Sequence, residues 1–297
     1  MRLDRFITLR IVRPLLKLQR STGPRLPILM YHSISADPEN GRSAYYKVCT
    51  APKRFAEHMN LLTENGYEGV TLGIGLERLS SPQSGNGRKP VAITFDDGFR
   101  DFYAEAFPIL QRHRFHATMY LPTAFIAEEP RSFQSRDCLI WSEVAELNSA
   151  GIEFGSHTVT HPKLIERDWP QIEEELRDSK SAIEKRIGTN VKAFAYPYAF
   201  PKARRDFVPR FQQTLTKIGY ESCVTTEVGR ERAGGDLLSL KRLPVNDADD
   251  APLLRAKIEG AYDWLAIPQT AAKSARHFLQ SGAGCLKTQP RSGAVAS

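Results

Sequence analysis

The amino-acid sequence predicts an α/β protein with a (β/α) barrel in a single domain. Short apolar runs of β-prone residues alternate with helical patterns along the chain, and strands that alternate with helices form parallel βα units. No internal repeat or long linker divides the 297 residues, of which 41% are hydrophobic and 25% are charged. One barrel therefore explains a chain of this length and ordinary composition better than two domains do.

The eight predicted strands are short runs with few charges and many β-branched, aromatic or small apolar residues. Their order along the chain alternates with the predicted helices, as a barrel of parallel strands requires. They cover residues 27–31, 69–72, 91–95, 117–121, 152–156, 193–196, 223–226 and 240–245.

The predicted helices have apolar residues three or four positions apart, so that one face of each helix is buried. In the first of them Phe55, Met59 and Leu62 share a face, and in the fourth Pro170 lies in the first turn, where its missing N–H is harmless. The helices cover residues 52–65, 102–113, 141–150, 169–187 and 207–218.

The net charge of +7 is concentrated at the two ends of the chain. Residues 1–25 contain seven basic residues and one acidic residue, and residues 266–297 contain four basic residues and no acidic one. The middle of the chain, with 30 basic and 33 acidic residues, is slightly acidic. A basic groove is not indicated, and we expect no nucleic-acid partner.

We expect three regions: a basic N-terminal extension (residues 1–25), the barrel domain (26–265) and a flexible C-terminal tail (266–297) of mostly small and polar residues. Charges interrupt the apolar stretch of the extension, which therefore lacks the core of a secretory signal, and we expect a cytoplasmic protein. Pro14 favours a loosely ordered leader or a helix packed on the domain. The alternative is a basic amphipathic helix in peripheral contact with an anionic membrane.

Polar residues that can bind a metal follow two of the predicted strands, where the catalytic groups of a (β/α) barrel lie. Asp96 and Asp97 follow strand 91–95, and His157 and His161 follow strand 152–156. Two imidazoles and a carboxylate leave open positions on a divalent ion, and the second carboxylate could deprotonate a bound water. Each pattern alone also fits a plain turn or a chance pair of histidines, and the same ligands can hold iron for oxygen chemistry.

Three segments together carry a resemblance to a known family. Residues 94–98 (TFDDG), 156–161 (SHTVTH) and 194–198 (FAYPY) resemble, in order and spacing, the first three motifs of the polysaccharide deacetylases. These enzymes form the NodB-homology domain of carbohydrate esterase family 4, and the similarity covers residues 27–265. The resemblance implies a distorted (β/α) barrel of the NodB type and metal-dependent removal of acetyl groups from N-acetylated sugars.

The resemblance also implies roles for individual residues. By position Asp96 would be the general base, and Tyr198 would offer its backbone N–H to the oxyanion of the transition state. The implied ligands of a divalent metal, zinc by default with manganese or cobalt as alternatives, are Asp97, His157 and His161. Tyr196, Pro197 and Trp141 are candidates to line the sugar groove, with core packing as the alternative for both aromatic residues.

Two positions depart from the family pattern. In many members the residue two positions before the proline of the third motif is an arginine, which orients the base. In this chain that residue is Ala195. The family often ends with Leu-x-His, whose histidine protonates the leaving amine, where this chain has Arg242. His32, at the end of the first strand, is our candidate for that acid, and a metal-ligating histidine with a double role is the alternative. The variant third motif looks like that of the branch acting on exopolysaccharides such as poly-N-acetylglucosamine.

Other titratable residues are predicted to have no catalytic role. Asp101 is expected to cap a helix or to be a solvated charge, and the cysteines, which form no CxxC pair, are expected to be reduced thiols. This group also contains His58, His113, His116 and His277, and the cysteines are Cys49, Cys138, Cys223 and Cys285.

The sequence thus predicts a metal-dependent carbohydrate deacetylase whose partner is an acetylated glycan. Two alternatives remain open: a non-catalytic glycan-binding relative, which the two departures would explain, and a membrane adaptor for which the barrel is only a scaffold. A deacetylase should release acetate and a binding protein should not.

Overall fold

A barrel of parallel strands forms the centre of the molecule, for which the computed structural model describes residues 2–16, 23–37, 39–81 and 87–266. All eight predicted strands are present, with shifts of a few residues at their ends. They are β1 (Ile28–Tyr31), β2 (Tyr67–Val70), β3 (Lys89–Phe95), β4 (Thr118–Leu121), β5 (Glu153–Ser156), β6 (Ala193–Ala195), β7 (Ser222–Val228) and β8 (Leu240–Pro244).

Seven of these strands close the barrel in the order β1-β3-β4-β5-β6-β7-β8, and β8 pairs with β1 through Leu243 and Leu29. Strand β2 lies outside the ring. It pairs with β3 only from Lys89 to Ala92, and β4 pairs with β3 at Thr94 and Phe95. The prediction of a distorted (β/α) barrel is therefore confirmed.

In the described part of the chain seven helices surround the barrel. The five predicted helices are confirmed, although the second begins with a π-helical turn at Phe102–Ala106. The helices are α1 (Pro52–Glu64), α2 (Leu72–Ser80), α3 (Phe107–His113), α4 (Trp141–Ser149), α5 (Trp169–Ile187), α6 (Val208–Ile218) and α7 (Ala251–Glu259). Short 3₁₀ turns and two-residue antiparallel pairs complete the connections: Thr123–Phe125, Leu164–Glu166, Leu237–Ser239, Asp263–Leu265, Arg25–Leu26 with Glu231–Arg232, and Ser132–Phe133 with Arg136–Asp137.

Helices α2 and α7 are absent from the sequence prediction. The predicted strand 69–72 ends two residues early, because Thr71 becomes the N-cap of α2 and its hydroxyl accepts a hydrogen bond from the N–H of Ile74 at 3.3 Å. Helix α7 is capped by Asp250, whose carboxylate accepts from the N–H of Leu253 at 3.1 Å. Both helices are short, and two glycines weaken the pattern of α2.

Successive side chains of each strand point alternately into the barrel interior and toward the surrounding helices. On β6 the inward residues Ala193 and Ala195 are small, and Phe194 points to the helices. The ring of Tyr120 fills the barrel beside Gly155, where a Cβ would lie 2.5 Å from that ring. The interior therefore has room for one large side chain at this level and requires glycine opposite it.

Part of the N-terminal extension is helical and packs on the domain. Leu3–Ile7, the π-helical Thr8–Val12 and Arg13–Leu16 form one continuous stretch, which we call the N-terminal helical segment. It lies against α7 and is held by ion pairs from Arg5 to Asp250 and from Arg13 to Glu259. Among the described helices, none combines the length and the apolar character needed to cross a bilayer. The predicted tail beyond residue 266 lies outside the described residues, as do His277 and Cys285.

Candidate active site

The predicted metal ligands come together at the carboxyl ends of β3 and β5. Asp97, His157 and His161 are all buried, and one ligand atom from each lies within 4.8 Å of the other two. The two histidine Nε2 atoms are 3.1 Å apart, and Asp97 Oδ1 lies 3.6 and 3.5 Å from them. The three side chains therefore present their donor atoms to one point.

Strained backbone positions this cluster. Of the eight described non-glycine residues with a positive φ, four lie at this site: Asp97 (73°), Thr158 (70°), His161 (55°) and Tyr198 (58°). Such conformations cost about 1–3 kcal/mol each and persist only where surrounding contacts impose them. Here Thr158 stabilises the backbone of His161, because its hydroxyl accepts a hydrogen bond from the N–H of His161 at 3.0 Å. The loops after β3 and β5 thus bend to turn their ligands inward.

Hydrogen bonding leaves the donor atoms available to a cation. The carbonyl of Ala195 lies 2.8 Å from His157 Nδ1, so that nitrogen carries the proton and Nε2 has a free lone pair. Asp97 Oδ1 is buried and has no hydrogen-bond partner among the described residues. An orphaned carboxylate oxygen facing two imidazoles fits a divalent cation, which would satisfy all three atoms.

The pKa shifts of these side chains also fit a bound cation. Burial, together with the neighbouring charge of Asp96, raises the pKa of Asp97 to about 8. Burial, together with the proximity of His157, lowers the pKa of His161 to about 3. The imidazoles are therefore neutral, and the carboxylate needs a positive charge beside it to remain ionised at neutral pH.

Arg242 holds the predicted base. Both oxygens of Asp96 accept hydrogen bonds from the guanidinium, each at 2.7 Å, and Arg242 is fully buried on β8. Its Nε also donates to the carbonyl of Thr225 at 3.0 Å. Burial alone would raise the pKa of Asp96, but the Arg242 charge and hydrogen bonds hold it well below its usual range. Asp96 is therefore an ionised and fixed carboxylate.

The arginine that the third motif lacks at Ala195 is thus replaced by one from another strand. From the sequence, Arg242 is visible only as the residue in place of a histidine, and its role beside Asp96 is not. One signal was available, since Leu240 and Arg242 alternate toward the barrel interior, where a buried arginine requires a carboxylate partner. The sequence could not identify Asp96 as that partner.

His32 lies beside the base, as the sequence predicts. Its Nε2 is 3.9 Å from Asp96 Oδ2, and its side chain is 19% exposed. Burial lowers its pKa to about 4, although the charge of Asp96 opposes this shift. His32 is therefore neutral at neutral pH and close enough to Asp96 to exchange protons through a small movement or one water molecule.

The open side of the site is lined by Tyr198. Its half-exposed ring packs against the ring of His161, with centroids 4.7 Å apart, and Phe133 contacts the same histidine at 5.1 Å. The aromatic face next to the ligands suits a sugar ring. The oxyanion role of the Tyr198 N–H stays a prediction.

The three residues predicted to line the groove are buried instead, which corrects the sequence analysis. Tyr196 lies two residues after Phe194 and points to the same outward side. Its ring packs on Phe200 and Phe211, with ring centroids 5.0 and 5.3 Å away. Pro197 is buried. Trp141 belongs to the same core, and the Arg186 guanidinium lies 5.2 Å from its ring centroid. Tyr198 is the exposed ring of this motif.

Most of the remaining predictions concern structural residues. His58 bridges the Tyr31 hydroxyl and the carbonyl of Asp249 in the core, and His113 pairs with the Thr63 hydroxyl. Cys49, Cys138 and Cys223 are free thiols, as expected. Asp101 is neither a cap nor a solvated charge: the Ser33 hydroxyl donates to its carboxylate, and burial raises its pKa.

Comparisons with known proteins agree with this geometry. The family model described as polysaccharide deacetylase matches residues 83–221. The YxkH protein of Bacillus subtilis (strain 168), named as a polysaccharide deacetylase, is 30% identical over 239 residues, which are 79% of this chain and 76% of that protein.

Two further similarities are shorter or structural. The poly-beta-1,6-N-acetyl-D-glucosamine N-deacetylase of Staphylococcus aureus is 28% identical over 142 residues, 45% of this chain, and the match spans about half (48%) of the staphylococcal protein. The solved structure of the Streptococcus pyogenes deacetylase PplD in complex with acetate superposes with a TM-score of 0.69 at 28% identity, over 80% of this chain and 99% of that one.

Proposed function

Because the chain belongs to the polysaccharide deacetylase family, we propose that it removes acetyl groups from N-acetylhexosamine units of an exopolysaccharide or its oligosaccharide precursor, using a divalent metal ion. One observation carries the proposal: an ionised base, Asp96, lies next to three converging metal ligands. Metal-assisted hydrolysis of an amide uses both parts: a base that takes the proton of water, and a cation that polarises the carbonyl.

Asp97, His157 and His161 would hold the ion. Two neutral imidazoles and a carboxylate suit zinc, which we propose as the default, and manganese or cobalt fit the same ligands. When bound, such an ion supplies Lewis acidity toward the acetyl oxygen and the attacking water. The neighbouring backbone of Tyr198 would add a hydrogen-bond donor for the developing negative charge.

Asp96 would take the proton of the attacking water. Arg242 keeps this carboxylate ionised and fixes its plane through two hydrogen bonds, so that the base needs no reorganisation before the reaction. Arg242 is a positioning residue, since its contacts are to Asp96, Thr94 and the backbone.

His32 would protonate the leaving nitrogen. It is neutral in the resting site and must first gain a proton, and Asp96, 3.9 Å away, holds one after the attack of water. The protonated imidazole can then donate this proton to the leaving nitrogen. This route assigns the acid to the first strand, in place of the terminal histidine that this chain lacks.

Two observations support the proposed substrate class. The exposed ring of Tyr198 beside the ligands offers a stacking face for a sugar, and one curated relative is named for poly-beta-1,6-N-acetyl-D-glucosamine. We therefore propose a β-1,6-linked N-acetylglucosamine polymer, or an oligomer of it, as the preferred substrate.

The test compares bound metal and acetate release for the wild type and the Asp97→Ala variant. Purified protein is incubated with β-1,6- and β-1,4-linked N-acetylglucosamine oligomers, and Asp137→Ala, which changes an exposed carboxylate outside the ligand set, is the matched control. We expect metal and acetate in the wild type and the control, and the loss of both in Asp97→Ala. A wild type that binds the oligomers without releasing acetate would instead identify a glycan-binding relative.

A further inference from the structure

The N-terminal helical segment has an exposed apolar face. Leu3, Phe6, Ile11 and Leu15 are between 41% and 71% exposed, and they make up four of the nine large apolar side chains exposed in the described part of the chain. These four lie within 13 consecutive residues. Scattered exposed apolar residues need no explanation, but a contiguous row on one helix indicates an interaction surface.

The π-helical turn lies within this row, since Phe6 precedes it in the α-helical stretch Leu3–Ile7 and Ile11 lies inside it. Hydrogen bonds in a π-helix join residues five positions apart, and its wider turn brings residues at the spacing of Phe6 and Ile11 nearer to one side than a regular α-helix would. Thr8–Val12 is π-helical. Leu15 lies four residues after Ile11, approximately one turn further.

The opposite side of the segment is fixed to the domain. Thr8 is fully buried and its hydroxyl accepts a hydrogen bond from Trp264 Nε1 at 3.1 Å. The Tyr262 hydroxyl donates to the Asp4 carboxylate at 2.6 Å, and the ion pairs of Arg5 and Arg13 lie near the two ends of α7. The segment therefore presents its apolar face outward in a defined orientation.

Arg10 adds an exposed positive charge to the apolar face, whereas Arg2, Arg5 and Arg13 are paired with carboxylates. Arg10 is exposed between Phe6 and Ile11, and residues 1–25 carry seven basic residues against one acidic residue. Glu259, the partner of Arg13, also lines a cleft of about 470 Å³ at the amino-terminal end of the barrel. Five basic residues line this cleft: Arg25, Arg78, Arg88, Lys89 and Arg230. Of these, Arg78 is paired with Glu68 and Arg230 with Asp263, and Arg88 also interacts with a neighbouring group.

We propose that the apolar face of the N-terminal helical segment docks on a bilayer that contains anionic phospholipid. An exposed row of leucine, isoleucine and phenylalanine beside an exposed arginine, on an extension with net positive charge, is the pattern of a helix that lies in the membrane interface. The row would enter the boundary between headgroups and acyl chains, while the basic residues face lipid phosphates. Charge complementarity favours this occupant over a second copy of the chain, whose corresponding face is equally basic.

The test is sedimentation of the full-length chain with vesicles of phosphatidylcholine alone or with about 30% phosphatidylglycerol. Ile11→Glu places a charge on the apolar face, and Leu237→Glu is the matched control, because Leu237 has the same 47% exposure elsewhere on the surface. We expect binding to the anionic vesicles, a loss of about tenfold or more in Ile11→Glu, and no comparable loss in Leu237→Glu. Added salt should weaken binding of the wild type.

Acetate release and the thermal unfolding midpoint should match the wild type in both variants, which separates this proposal from the proposed function. A wild type that does not bind anionic vesicles would overturn the proposal, and so would equal loss in the two variants. A concentration-dependent dimer that Ile11→Glu dissociates, without vesicle binding, would show that a second copy covers this face.

Discussion

Replacing Arg242 by methionine is expected to change the pH dependence of deacetylation more than the metal content. The guanidinium makes two 2.7 Å hydrogen bonds to Asp96, and both side chains are shielded from solvent. Breaking a buried pair of this kind by removing one partner typically costs about 3–5 kcal/mol, since the other charge stays buried without its partner. Where this cost opposes the ionisation of Asp96, each 1.36 kcal/mol raises the pKa of that carboxyl by about one unit.

The sign of the effect follows from the state of Asp96. In the wild type burial would raise its pKa, and Arg242 holds it well below its usual range, so the base is ionised throughout an ordinary assay range. In Arg242→Met burial is unopposed and the pKa rises. The ionised fraction then falls as the pH drops, so kcat/KM should decline by about 10²–10⁴ at acidic pH and recover partly at alkaline pH.

The assay is acetate release as a function of pH, with bound metal measured in parallel. Lys241→Met, at the neighbouring and less buried position on β8, is the control and should keep the wild-type profile. Ala195→Arg in the Arg242→Met background returns the arginine to its usual place in the family and should restore part of the activity. If kcat/KM of Arg242→Met declined at the same acidic pH as kcat/KM of the wild type, the assignment of Arg242 would be refuted.

Three further predictions address the acid, the extension and the barrel interior. His32→Gln should lower kcat on N-acetylglucosamine oligomers by about 10²–10⁴ with bound metal unchanged, and the loss should be smaller on an activated acetyl ester, whose leaving group needs no proton. Burial would raise the pKa of Asp4, but hydrogen bonds from Arg2 and Tyr262 lower it to about 2. The unfolded chain therefore takes up this proton first, and urea titrations should show a free energy of unfolding that falls between about pH 4 and pH 2, less steeply in Asp4→Asn. Gly155→Ala should reduce the free energy of unfolding by about 1–3 kcal/mol in the same titrations, because its Cβ would lie 2.5 Å from Tyr120, and an unchanged value would contradict the packing described here.

The metal ligands could be predicted from the sequence because their signal is local. Asp97 is the second residue after β3 and His157 directly follows β5, and parallel strands of a barrel bring their carboxyl ends to one rim. The longer helices were predictable for the same reason, since their apolar spacing repeats over several turns. Helices α2 and α7 were not predicted, because two glycines weaken the apolar pattern of α2 and the buried Lys257 interrupts that of α7.

The sequence by itself therefore determined the α/β architecture, the rim on which the chemistry lies and the three residues that converge there. Only the tertiary structure decided which side chains meet across the barrel. Asp96 and Arg242 are 146 positions apart, and no periodicity relates them. Their contact depends on the closure of the barrel, in which β8 returns to pair with β1, and on the register that turns Arg242 inward. The alternation of β6 turns Tyr196, two residues after Phe194, outward into the core. Tyr198 would share that side if the strand continued, but it lies beyond β6 with a φ of 58°, and this bend of the backbone leaves its ring at the site.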